Sequence, residues 1–467
     1  MARYLTLALT AATIVTGLAI IPPLSFAEEP TATFALVSDI HFDPFDPDGL
    51  ARTLAATDAE DWMARFAALP PGPASQYGKD TNHVLLSSAL AAIAKTAANA
   101  DFAIVTGDLL SHEFEDDTAK ALGVPLGSPA QRAFSQRTTI FVAEALRDAF
   151  AGKPVIIALG NNDSDCGDYE IEPGGDYLAA TRETVRKLVG ADLVAADFDA
   201  TYAAGGYYAA RHPTVASTLI LVVNDILWSA RYQDSCGADG LAAGRAQMDW
   251  LTAMLAAQRA AGGRVWMAHH IPWGIDPYST EHSKADTCPA KVVPFMKDDF
   301  AADFVVLLRQ YADIIDSSLS GHVHFDDYRL LLDDSGKPLE IDKVAPAISP
   351  IFGQNPGFEM FTYDVATGQP KDFSAIFLAN LPDLTSTVSG DWREGYVFSK
   401  AYGVPGYSVE SVGALWNGLG QGGRIRSAYR EHYNVGHGTL AEADLKGYAC
   451  AIAFLDPQSY SACYCGE

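Results

Sequence analysis

Short apolar segments alternate with longer helical segments over residues 33–363, and this alternation limits the possible folds more than any other feature. The apolar segments are rich in β-forming residues and run over Phe34–Val37, Phe102–Thr106, Val155–Leu159, Thr218–Val223 and Val265–Ala268. Apolar residues recur at helical spacing in the segments between them, over His83–Asn99, Gln131–Phe150 and Gly244–Ala261. This pattern predicts an α/β fold with a buried, parallel or mixed sheet that is covered by helices on both faces.

The chain changes character after residue 316. Strands now follow one another without helices between them, over Asp327–Leu332, Glu359–Asp364 and Ser374–Phe377. The last part of the chain, from residue 392 onward, is rich in Gly and Tyr and contains helix-like pieces. We therefore expect a main domain over residues 28–380 and a smaller, mainly helical unit over residues 381–467.

The charge balance excludes several classes of partner. With 58 acidic and 32 basic residues among 467, the chain has a formal net charge of −26. Nucleic-acid binders hold phosphates with clustered Lys and Arg, and docking on an anionic membrane needs a similar basic patch. We therefore expect no nucleic-acid partner, and an anionic ligand would need a local positive centre.

The first residues of the chain have the pattern of a secretory signal peptide over residues 1–27. Arg3 makes the start positive, residues 4–20 are apolar, and Ser25 and Ala27 are small residues at the −3 and −1 positions of a cleavage site. The alternative is an uncleaved membrane anchor, for which this apolar run is marginal in length. We expect a secreted or periplasmic protein without a transmembrane anchor after cleavage.

Export would place the six cysteines in an oxidising compartment, where disulfides form. Six cysteines allow 15 pairings, so the sequence does not determine the connectivity. Cys463 and Cys465 are separated by one residue, and we do not expect them to pair with each other. The alternative, a structural zinc site, would need a Cys-x-x-Cys spacing that the chain lacks.

Five short polar clusters stand at or just beyond the ends of apolar strands. They are Asp39-Ile40-His41, Gly107-Asp108, Gly160-Asn161-Asn162-Asp163, His269-His270 and Gly321-His322-Val323-His324. Taken singly, each cluster has a simpler interpretation as a turn, a polar loop pair or a hydrogen-bonded strand edge. Ligands collect outside the carboxyl ends of strands in open α/β sheets, so the clusters together predict a functional site. Six of the eleven histidines lie in or beside them, namely His41, His112, His269, His270, His322 and His324.

The order of these clusters resembles the pattern of the calcineurin-like metallophosphoesterase superfamily, which runs Asp-x-His, Gly-Asp, Gly-Asn-His, His and Gly-His-x-His. The resemblance covers residues 33–328. Three details make the chain similar to the acid sphingomyelinase-like phosphodiesterases: His112 four residues after Asp108, the sequence His270-Ile271-Pro272, and the segment Ala347–Phe358. The Tyr-rich C-terminal unit is also similar to that family, although we expect no saposin-like domain. The resemblance implies a β-sandwich of mixed sheets flanked by helices, and a metal-dependent phosphoric diester hydrolase.

The resemblance also implies a set of metal ligands. One metal ion would bind Asp39, His41 and His324, the other would bind Asn161, His270 and His322, and Asp108 would bridge them. Carboxylate, amide and imidazole ligands suit two divalent ions, with zinc as the first choice and Fe or Mn²⁺ as alternatives. A water between two such cations loses its proton near neutral pH and attacks the phosphoester, and the cations offset the phosphoryl charge.

One departure from the family pattern concerns the proton donor. The family usually has a His after the Gly-Asn, as general acid for the leaving group, and this chain has Asn162 there. An amide can donate a hydrogen bond but cannot deliver a proton. We expect His112 to take this catalytic role, and its alternative role is to orient a metal ligand or a phosphate oxygen.

Two further expectations concern residues beside the proposed ligands. His269 should point to the opposite face of the strand from His270, where it would pack or support the ligands. The acidic residues that follow Asn161 are expected to form a solvated loop, with the alternative that they accept hydrogen bonds in support of the ligands, and they are Asp163, Asp165 and Asp168.

These features predict a secreted enzyme that hydrolyses small phosphodiesters, with a lipid head group or a nucleotide as the substrate type. The alternatives with the same site are a phosphomonoesterase, a nucleotide hydrolase or an endopolyphosphatase, and the acidic surface counts against long polyanions. A further alternative, motivated by Asn162, is a metal-containing binding protein with weak catalysis. The complete set of proposed metal ligands counts against that alternative.

Overall fold

The computed structural model describes residues 31–234, 236 and 240–466, so the predicted signal peptide lies outside the described residues. The strands are β1 Thr31–Val37, β2 Phe102–Val105, β3 Val155–Ile157, β4 Tyr208–Arg211, β5 Thr218–Val222, β6 Arg264–Ala268, β7 Ile315–Ser320, β8 Asp327–Leu332, β9 Pro338–Val344, β10 Gly357–Asp364, β11 Pro370–Leu378 and β12 Trp392–Val397. The helices are α1 Leu50–Ala55, α2 Trp62–Ala67, α3 His83–Thr96, α4 Phe114–Leu122, α5 Pro129–Ala149, α6 Asp176–Val189, α7 Phe198–Gly205, α8 Gly240–Ala260, α9 Pro277–His282, α10 Cys288–Lys291, α11 Asp298–Tyr311, α12 Phe398–Tyr402, α13 Val409–Leu419, α14 Gly423–Tyr433, α15 Leu445–Ala453 and α16 Pro457–Cys465. In the part of the chain that the structure describes, no helix has both the length and the apolar sequence that crossing a bilayer requires.

The strands form two six-stranded mixed sheets. The first has the order β12-β11-β10-β1-β2-β3, in which β1, β2 and β3 are parallel and the other pairs are antiparallel. The second has the order β4-β5-β6-β7-β9-β8, with four parallel central strands and an antiparallel strand at each edge. Parallel neighbours need long crossover connections, and the segments that contain α3, α5, α8 and α11 supply them. The predicted α/β fold with mixed sheets flanked by helices is confirmed.

Aromatic side chains fill the space between the two sheets. The ring centroid of Trp266 on β6 lies 5.0 Å from that of Phe34 on β1 and 6.0 Å from that of Phe102 on β2. All three side chains are fully buried. Burying an aromatic side chain of this size stabilises the folded state by roughly 1.5–3 kcal/mol, so these contacts hold one sheet against the other.

The sequence patterns did not reveal β4, β7, β9 and β12, and β7 shows why. Its sequence IDSSLS contains three serines, all of them buried. The Ser318 hydroxyl lies 2.9 Å from His269 Nε2, and the Ser320 hydroxyl donates to Asp342 Oδ2 at 2.8 Å. Partners from distant parts of the chain satisfy these hydroxyls, so the strand forms without the alternating apolar pattern by which strands are recognised.

The C-terminal segment is mainly helical and is joined to the rest of the chain by a strand and by one disulfide, Cys288–Cys465. Strand β12 pairs with β11 at the edge of the first sheet, and helices α12–α16 follow it. The six cysteines form the disulfides Cys166–Cys236, Cys288–Cys465 and Cys450–Cys463. Cys463 and Cys465 therefore have different partners, as the sequence predicted. The domain boundary at residue 380 stays a prediction.

Candidate metal centre

The polar clusters meet at one place, next to the carboxyl ends of the central parallel strands. Asp39 and His41 follow β1, and Asp108 follows β2 in the same sheet. His270 follows β6 and His322 follows β7 in the second sheet. Because the carboxyl ends of parallel strands lie at the same edge of a sheet, residues far apart in sequence converge there.

The loops at these strand ends have an unusual backbone conformation. Their residues with positive φ, between 46° and 71°, are Asp39, His41, Asp108, His322 and His324. Residues other than glycine seldom adopt this region, which costs about 1–3 kcal/mol each when it is imposed by the surroundings. Five such residues in one site indicate that the fold holds these side chains in set positions.

Glycines allow the loops to approach the carboxylates closely. A Cβ atom at Gly160 would lie 2.1 Å from Asp108 Oδ1. A Cβ atom at Gly321 would lie 1.9 Å from the Ser38 hydroxyl and 2.6 Å from Asp39 Oδ2. Any side chain at either position would displace a carboxylate. This close approach explains why glycine occupies both positions.

A first group of ligand atoms comes from Asp39, His41 and His324, all of them buried. His41 Nε2 lies 3.0 Å from His324 Nε2, and Asp39 Oδ1 lies 3.7 Å from the former and 3.4 Å from the latter. His41 Nδ1 donates to the Leu110 carbonyl oxygen at 2.9 Å, so Nε2 is the ring atom that faces the group. Lone pairs from three side chains thus converge on one point, which a cation can occupy.

A second group of ligand atoms comes from Asn161, His270 and His322. His270 Nε2 lies 2.9 Å from Asn161 Oδ1 and 3.2 Å from His322 Nδ1. His270 Nδ1 donates to the Thr106 carbonyl oxygen at 2.6 Å. The Asn161 amide donates to Asp168 Oδ1 at 2.6 Å, which turns its oxygen toward His270, while Asp168 itself is exposed.

Asp108 joins the two groups. Its Oδ2 atom lies 3.3 Å from His41 Nε2 and 3.3 Å from His270 Nε2. The backbone amide of Asn162 donates to Asp108 Oδ1 at 2.8 Å, and the Asn162 side-chain amide donates to Oδ2 at 3.1 Å. Although burial favours the neutral acid, His270 and His41 hold the pKa of Asp108 well below its usual range. A carboxylate therefore stands between the two groups, and Asn162 helps to orient it.

Burial and the carboxylate oppose each other in setting the charge of the imidazoles. Burial disfavours the imidazolium, but Asp108 raises the pKa of His41 to about 9 and that of His270 to about 10. Burial and the neighbouring His270 lower the pKa of His322, and burial and the neighbouring His41 lower that of His324. The centre thus favours positive charge, but it cannot place a proton on every ring. Metal ions supply such charge to all the rings at once.

Asp163 supports the loop of Asp108, and the expectation of a solvated side chain is wrong there. Asp163 Oδ2 accepts from the backbone amides of Asp108 and Gly160, both at 2.8 Å, and Oδ1 accepts from that of Leu109 at 2.7 Å. The side chain is fully buried, and burial together with the Asp108 carboxylate raises the pKa of Asp163 to about 6. Asp165 is buried as well. The loop is acidic because its carboxylates bind donors inside the fold.

His112 lies at the rim of the first group. Its ring stacks on that of His41 with centroids 4.2 Å apart, and its side chain is 32% exposed. Its Nδ1 lies 3.2 Å and 3.1 Å from the two oxygens of Asp80, and its backbone amide donates to Asp80 Oδ2 at 2.9 Å. Although burial favours the neutral acid, the bond to His112 lowers the pKa of Asp80. This ionised carboxylate orients the ring, and Nε2 is the atom available to a substrate. No sequence motif marks Asp80.

His269 lies apart from the ligand atoms, as the sequence predicted. Its Nδ1 lies 3.1 Å from Asp225 Oδ2, and its Nε2 lies 3.3 Å from Asp342 Oδ1. Burial disfavours the charged ring, but Asp342 and Asp225 raise the pKa of His269 to about 10. The side chain belongs to a buried charge cluster at the end of β6.

Sequence reasoning also missed two aromatic residues at the rim. The Tyr169 hydroxyl lies 3.2 Å from His322 Nε2. The ring centroid of Phe352 lies 4.7 Å from that of His324 and 5.8 Å from that of His112. No sequence motif indicates that Tyr169 belongs to the site. Phe352 lies in the segment 347–358, which is similar to the acid sphingomyelinase-like phosphodiesterases, but the sequence assigned no role to its side chain.

Two mixed sheets carry carboxylate, amide and imidazole side chains that converge at the strand ends, in a candidate centre for metal ions. Curated relatives show what the chain is similar to. The chain is 24% identical to acid sphingomyelinase-like phosphodiesterase 3b of Homo sapiens over 448 residues, which cover 91% of this chain and 89% of the relative. It is 24% identical to the cyclic GMP-AMP phosphodiesterase SMPDL3A of Mus musculus, covering 94% of each chain. It is thus a homologue of the acid sphingomyelinase-like phosphodiesterases, and the resemblance predicted from its motifs is confirmed.

Other comparisons cover a smaller share of the chain. The chain is 26% identical to sphingomyelinase phosphodiesterase D of Dictyostelium discoideum, covering 72% of this chain and 70% of the relative. Among solved structures it is similar to a dimetal phosphatase from Danio rerio, with a TM-score of 0.39, 12% identity and coverage of 79% of this chain and 100% of that chain. No family model matches the chain. The predicted enzyme class, a phosphodiesterase, agrees with the names of the curated relatives.

Proposed function

We propose that this protein hydrolyses small phosphodiesters at a centre that holds two metal ions. The observation that carries the proposal is the position of Asp108 Oδ2, which lies 3.3 Å from His41 Nε2 in one group and 3.3 Å from His270 Nε2 in the other. A carboxylate between two groups of nitrogen and oxygen ligands suits two cations about 3.5–4 Å apart, the spacing of two-metal hydrolases. The relatives named as phosphodiesterases support the same class of reaction.

The donor atoms fit two divalent ions. Asp39, His41 and His324 would hold one ion, Asn161, His270 and His322 would hold the other, and Asp108 would bridge them. Imidazole, amide and carboxylate ligands suit Zn²⁺ first, and Fe or Mn²⁺ as alternatives. When bound, two such ions supply positive charge to the phosphoryl oxygens and lower the pKa of the water that attacks phosphorus.

The protein's own groups hold the centre in position for this reaction. The carbonyl oxygens of Leu110 and Thr106 bind the Nδ1 atoms of His41 and His270, which directs each Nε2 inward. Supporting hydrogen bonds of this kind are typical of metal-binding histidines, because they set the tautomer and the ring orientation. These bonds leave little for the ligands to rearrange when an ion binds.

His112 is the proton donor to the leaving group in this proposal. The Asp80 carboxylate binds Nδ1, which orients the ring and leaves Nε2 to face the substrate. Asn162 does not act as the proton donor, because an amide N–H is too weak an acid to transfer its proton. Its backbone and side-chain N–H groups also bind Asp108. Positioned acid catalysis contributes roughly 10²–10⁴ in rate, and it matters most for an alkoxide leaving group.

The substrate and the compartment follow from charge and from the disulfides. A formal net charge of −26 disfavours long polyanions, so we infer a small phosphodiester of the sphingomyelin or nucleotide type. Three disulfides without a free cysteine support export to an oxidising compartment, in the periplasm or outside the cell.

Metal analysis and three substrates test the proposal. The exported full-length chain should contain close to two divalent ions and should hydrolyse bis(para-nitrophenyl) phosphate in a reaction that chelation abolishes and zinc restores. Asp108→Ala should lose both metal and turnover, whereas Asp299→Ala, at an exposed position on α11, should lose neither. Para-nitrophenyl phosphate and sphingomyelin are assayed side by side with the diester.

Three outcomes would contradict the proposal. Faster turnover of the monoester than of either diester would indicate a phosphomonoesterase. A metal-loaded protein without turnover of any substrate would indicate a binding protein. Full activity in Asp108→Ala would contradict the mechanism itself.

A further inference from the structure

An apolar side chain stands exposed beside the polar centre. Phe352 is 51% exposed, although its neighbours His324 and His112 belong to the proposed machinery. Its ring plane makes angles of 68° with the ring of His324 and 82° with that of His112. One exposed apolar residue needs no explanation by itself. Its position beside the proposed proton donor, however, calls for an explanation.

The loop that carries Phe352 is held in place by hydrogen bonds of residues before and after Phe352 in the chain. The Gly353 carbonyl oxygen accepts a hydrogen bond from His437 Nδ1, which comes from the C-terminal segment. The Gln354 amide donates to the Ser349 carbonyl oxygen at 2.6 Å. A side chain on such a loop loses little conformational entropy when a ligand covers it. Its contact with the ligand therefore favours binding more than the same contact from a side chain on a mobile loop.

A stacked pair reinforces the loop from the side of the C-terminal segment. The rings of Tyr77 and His437 lie 4.0 Å apart at an interplanar angle of 3°. The Tyr77 hydroxyl donates to Asn355 Oδ1 at 2.7 Å, and the Asn355 amide donates to the Val435 carbonyl oxygen at 2.9 Å. The main part of the chain and the C-terminal segment thus hold the loop between them.

The neighbours of Phe352 decide which part of a substrate would cover it. His112 is the proposed donor to the leaving group, so a group that contacts both His112 and Phe352 is the one that departs. The positive charge of the proposed metal centre disfavours a cationic group at this position. A flat ring gains most from the exposed face of Phe352, because aromatic rings stack over a large area at a small entropy cost.

We propose that Phe352 forms a leaving-group subsite for a planar aromatic ring, as in an aryl ester or a nucleoside. This subsite rests on the proposed phosphodiesterase function. His437 acts on it indirectly, because its bond to the Gly353 carbonyl oxygen holds the loop, and it is a positioning residue. The subsite selects substrates by the shape of the leaving group. The proposed metal ligands do not contact that part of the substrate.

Two diesters with leaving groups of matched acidity test the subsite. Methyl meta-chlorophenyl phosphate carries an aromatic ring, and methyl hexafluoroisopropyl phosphate carries none. Phe352→Leu keeps an apolar side chain without a ring, and it should raise KM for the aryl ester about tenfold, given the usual strength of ring stacking. KM for the fluoroalkyl ester and the metal content should stay unchanged, and Phe352→Tyr should keep the aryl preference.

Two further variants and the unmodified protein complete the test. His437→Ala should raise KM for the aryl ester while leaving KM for the fluoroalkyl ester unchanged, whereas Leu126→Ala, an exposed apolar residue on another loop, should change neither. An equal effect of Phe352→Leu on both esters, or no effect on either, would overturn the subsite and leave the phosphodiesterase function intact. Absence of turnover of both esters in the unmodified, metal-loaded protein would overturn the proposed function and the subsite with it.

Discussion

Asp80 accepts two hydrogen bonds from His112, one from its backbone amide at 2.9 Å and one from its ring Nδ1 at 3.1 Å. The two residues are 32 positions apart in the chain. His112 in turn stacks on His41, and the Ser349 hydroxyl donates to the other oxygen of Asp80 at 2.8 Å. The proposed proton donor is thus fixed between a buried carboxylate and a proposed metal ligand. This relationship sets the orientation of the ring that the proposed mechanism uses.

Replacing His112 should affect substrates according to their leaving group. In His112→Ala we expect kcat for an alkyl phosphodiester to fall by about 10² or more, because an alkoxide needs a proton as it departs. Turnover of bis(para-nitrophenyl) phosphate should fall much less, since the nitrophenolate leaves without one. Steady-state kinetics at equal metal content makes the comparison. An equal loss for both substrates would mean that His112 orients the phosphate or a ligand instead.

Replacing Asp80 should act through His112. Asp80→Asn removes the charge from the acceptor that holds the ring Nδ1 of His112, so alkyl-ester turnover should fall about tenfold, the usual worth of a hydrogen bond to a charged group. Turnover of bis(para-nitrophenyl) phosphate should fall much less, because Asp80 acts through the proposed proton donor. Ser349→Ala removes a neighbour of the same carboxylate and should leave the ratio of the two rates in place. An equal loss for both substrates in Asp80→Asn would show that the carboxylate has only a structural role.

Asp163 should control metal binding without contacting the metal. Asp163→Asn replaces an acceptor of backbone amides from the Asp108 loop, and supporting groups of this kind are typically worth about 10–100-fold in metal affinity. Competition with a chelator of known affinity measures the change. Asp165→Asn is the matched control, because Asp165 is buried in the same loop but binds Gln136. Equal effects of the two changes would place the cause in the stability of the loop.

His212 should make the protein less stable in mild acid. The side chain is buried among the rings of Phe102, Trp266 and Tyr363, and burial lowers its pKa to about 4. The unfolded chain binds a proton near pH 6.5 and the folded one only near pH 4, so stability is lost as the pH falls through this interval. The contribution is about 3 kcal/mol, from 1.36 kcal/mol per unit of pKa.

A variant without the titrating group isolates this contribution. His212→Gln should show a free energy of unfolding that falls less steeply between pH 6.5 and 4, with urea unfolding of both metal-free proteins as the measurement. His282→Gln, the same exchange at an exposed histidine, is the control for the effect of the substitution itself. The same slope in His212→Gln as in the unmodified protein would contradict the assignment.

Much of the candidate site could be predicted from the sequence because its residues sit directly after recognisable strands. Asp39, Asp108 and His270 each follow an apolar segment that predicts a buried parallel strand. The geometry of parallel sheets then brings these positions to one edge. The α/β class of the fold followed from the same alternation, whereas the sandwich of two sheets was implied by the family resemblance, and buried serines hid a strand such as β7.

The rest of the site depends on contacts that no local pattern records. Asp163 has the composition of a solvated loop, but it is buried because backbone amides from two loops converge on it. Asp80 reaches His112, and Phe352 reaches His324, only after the chain has folded around the centre.

The sequence by itself determined which atoms can bind a metal ion, since residue type decides the lone pairs and strand position decides where they are presented. Only the tertiary structure decided which carboxylates are buried, which carboxylate orients His112, and which aromatic side chain stands exposed at the rim. The reason is physical. Burial and hydrogen bonding depend on distances between segments that are far apart in the chain, and packing alone determines those distances.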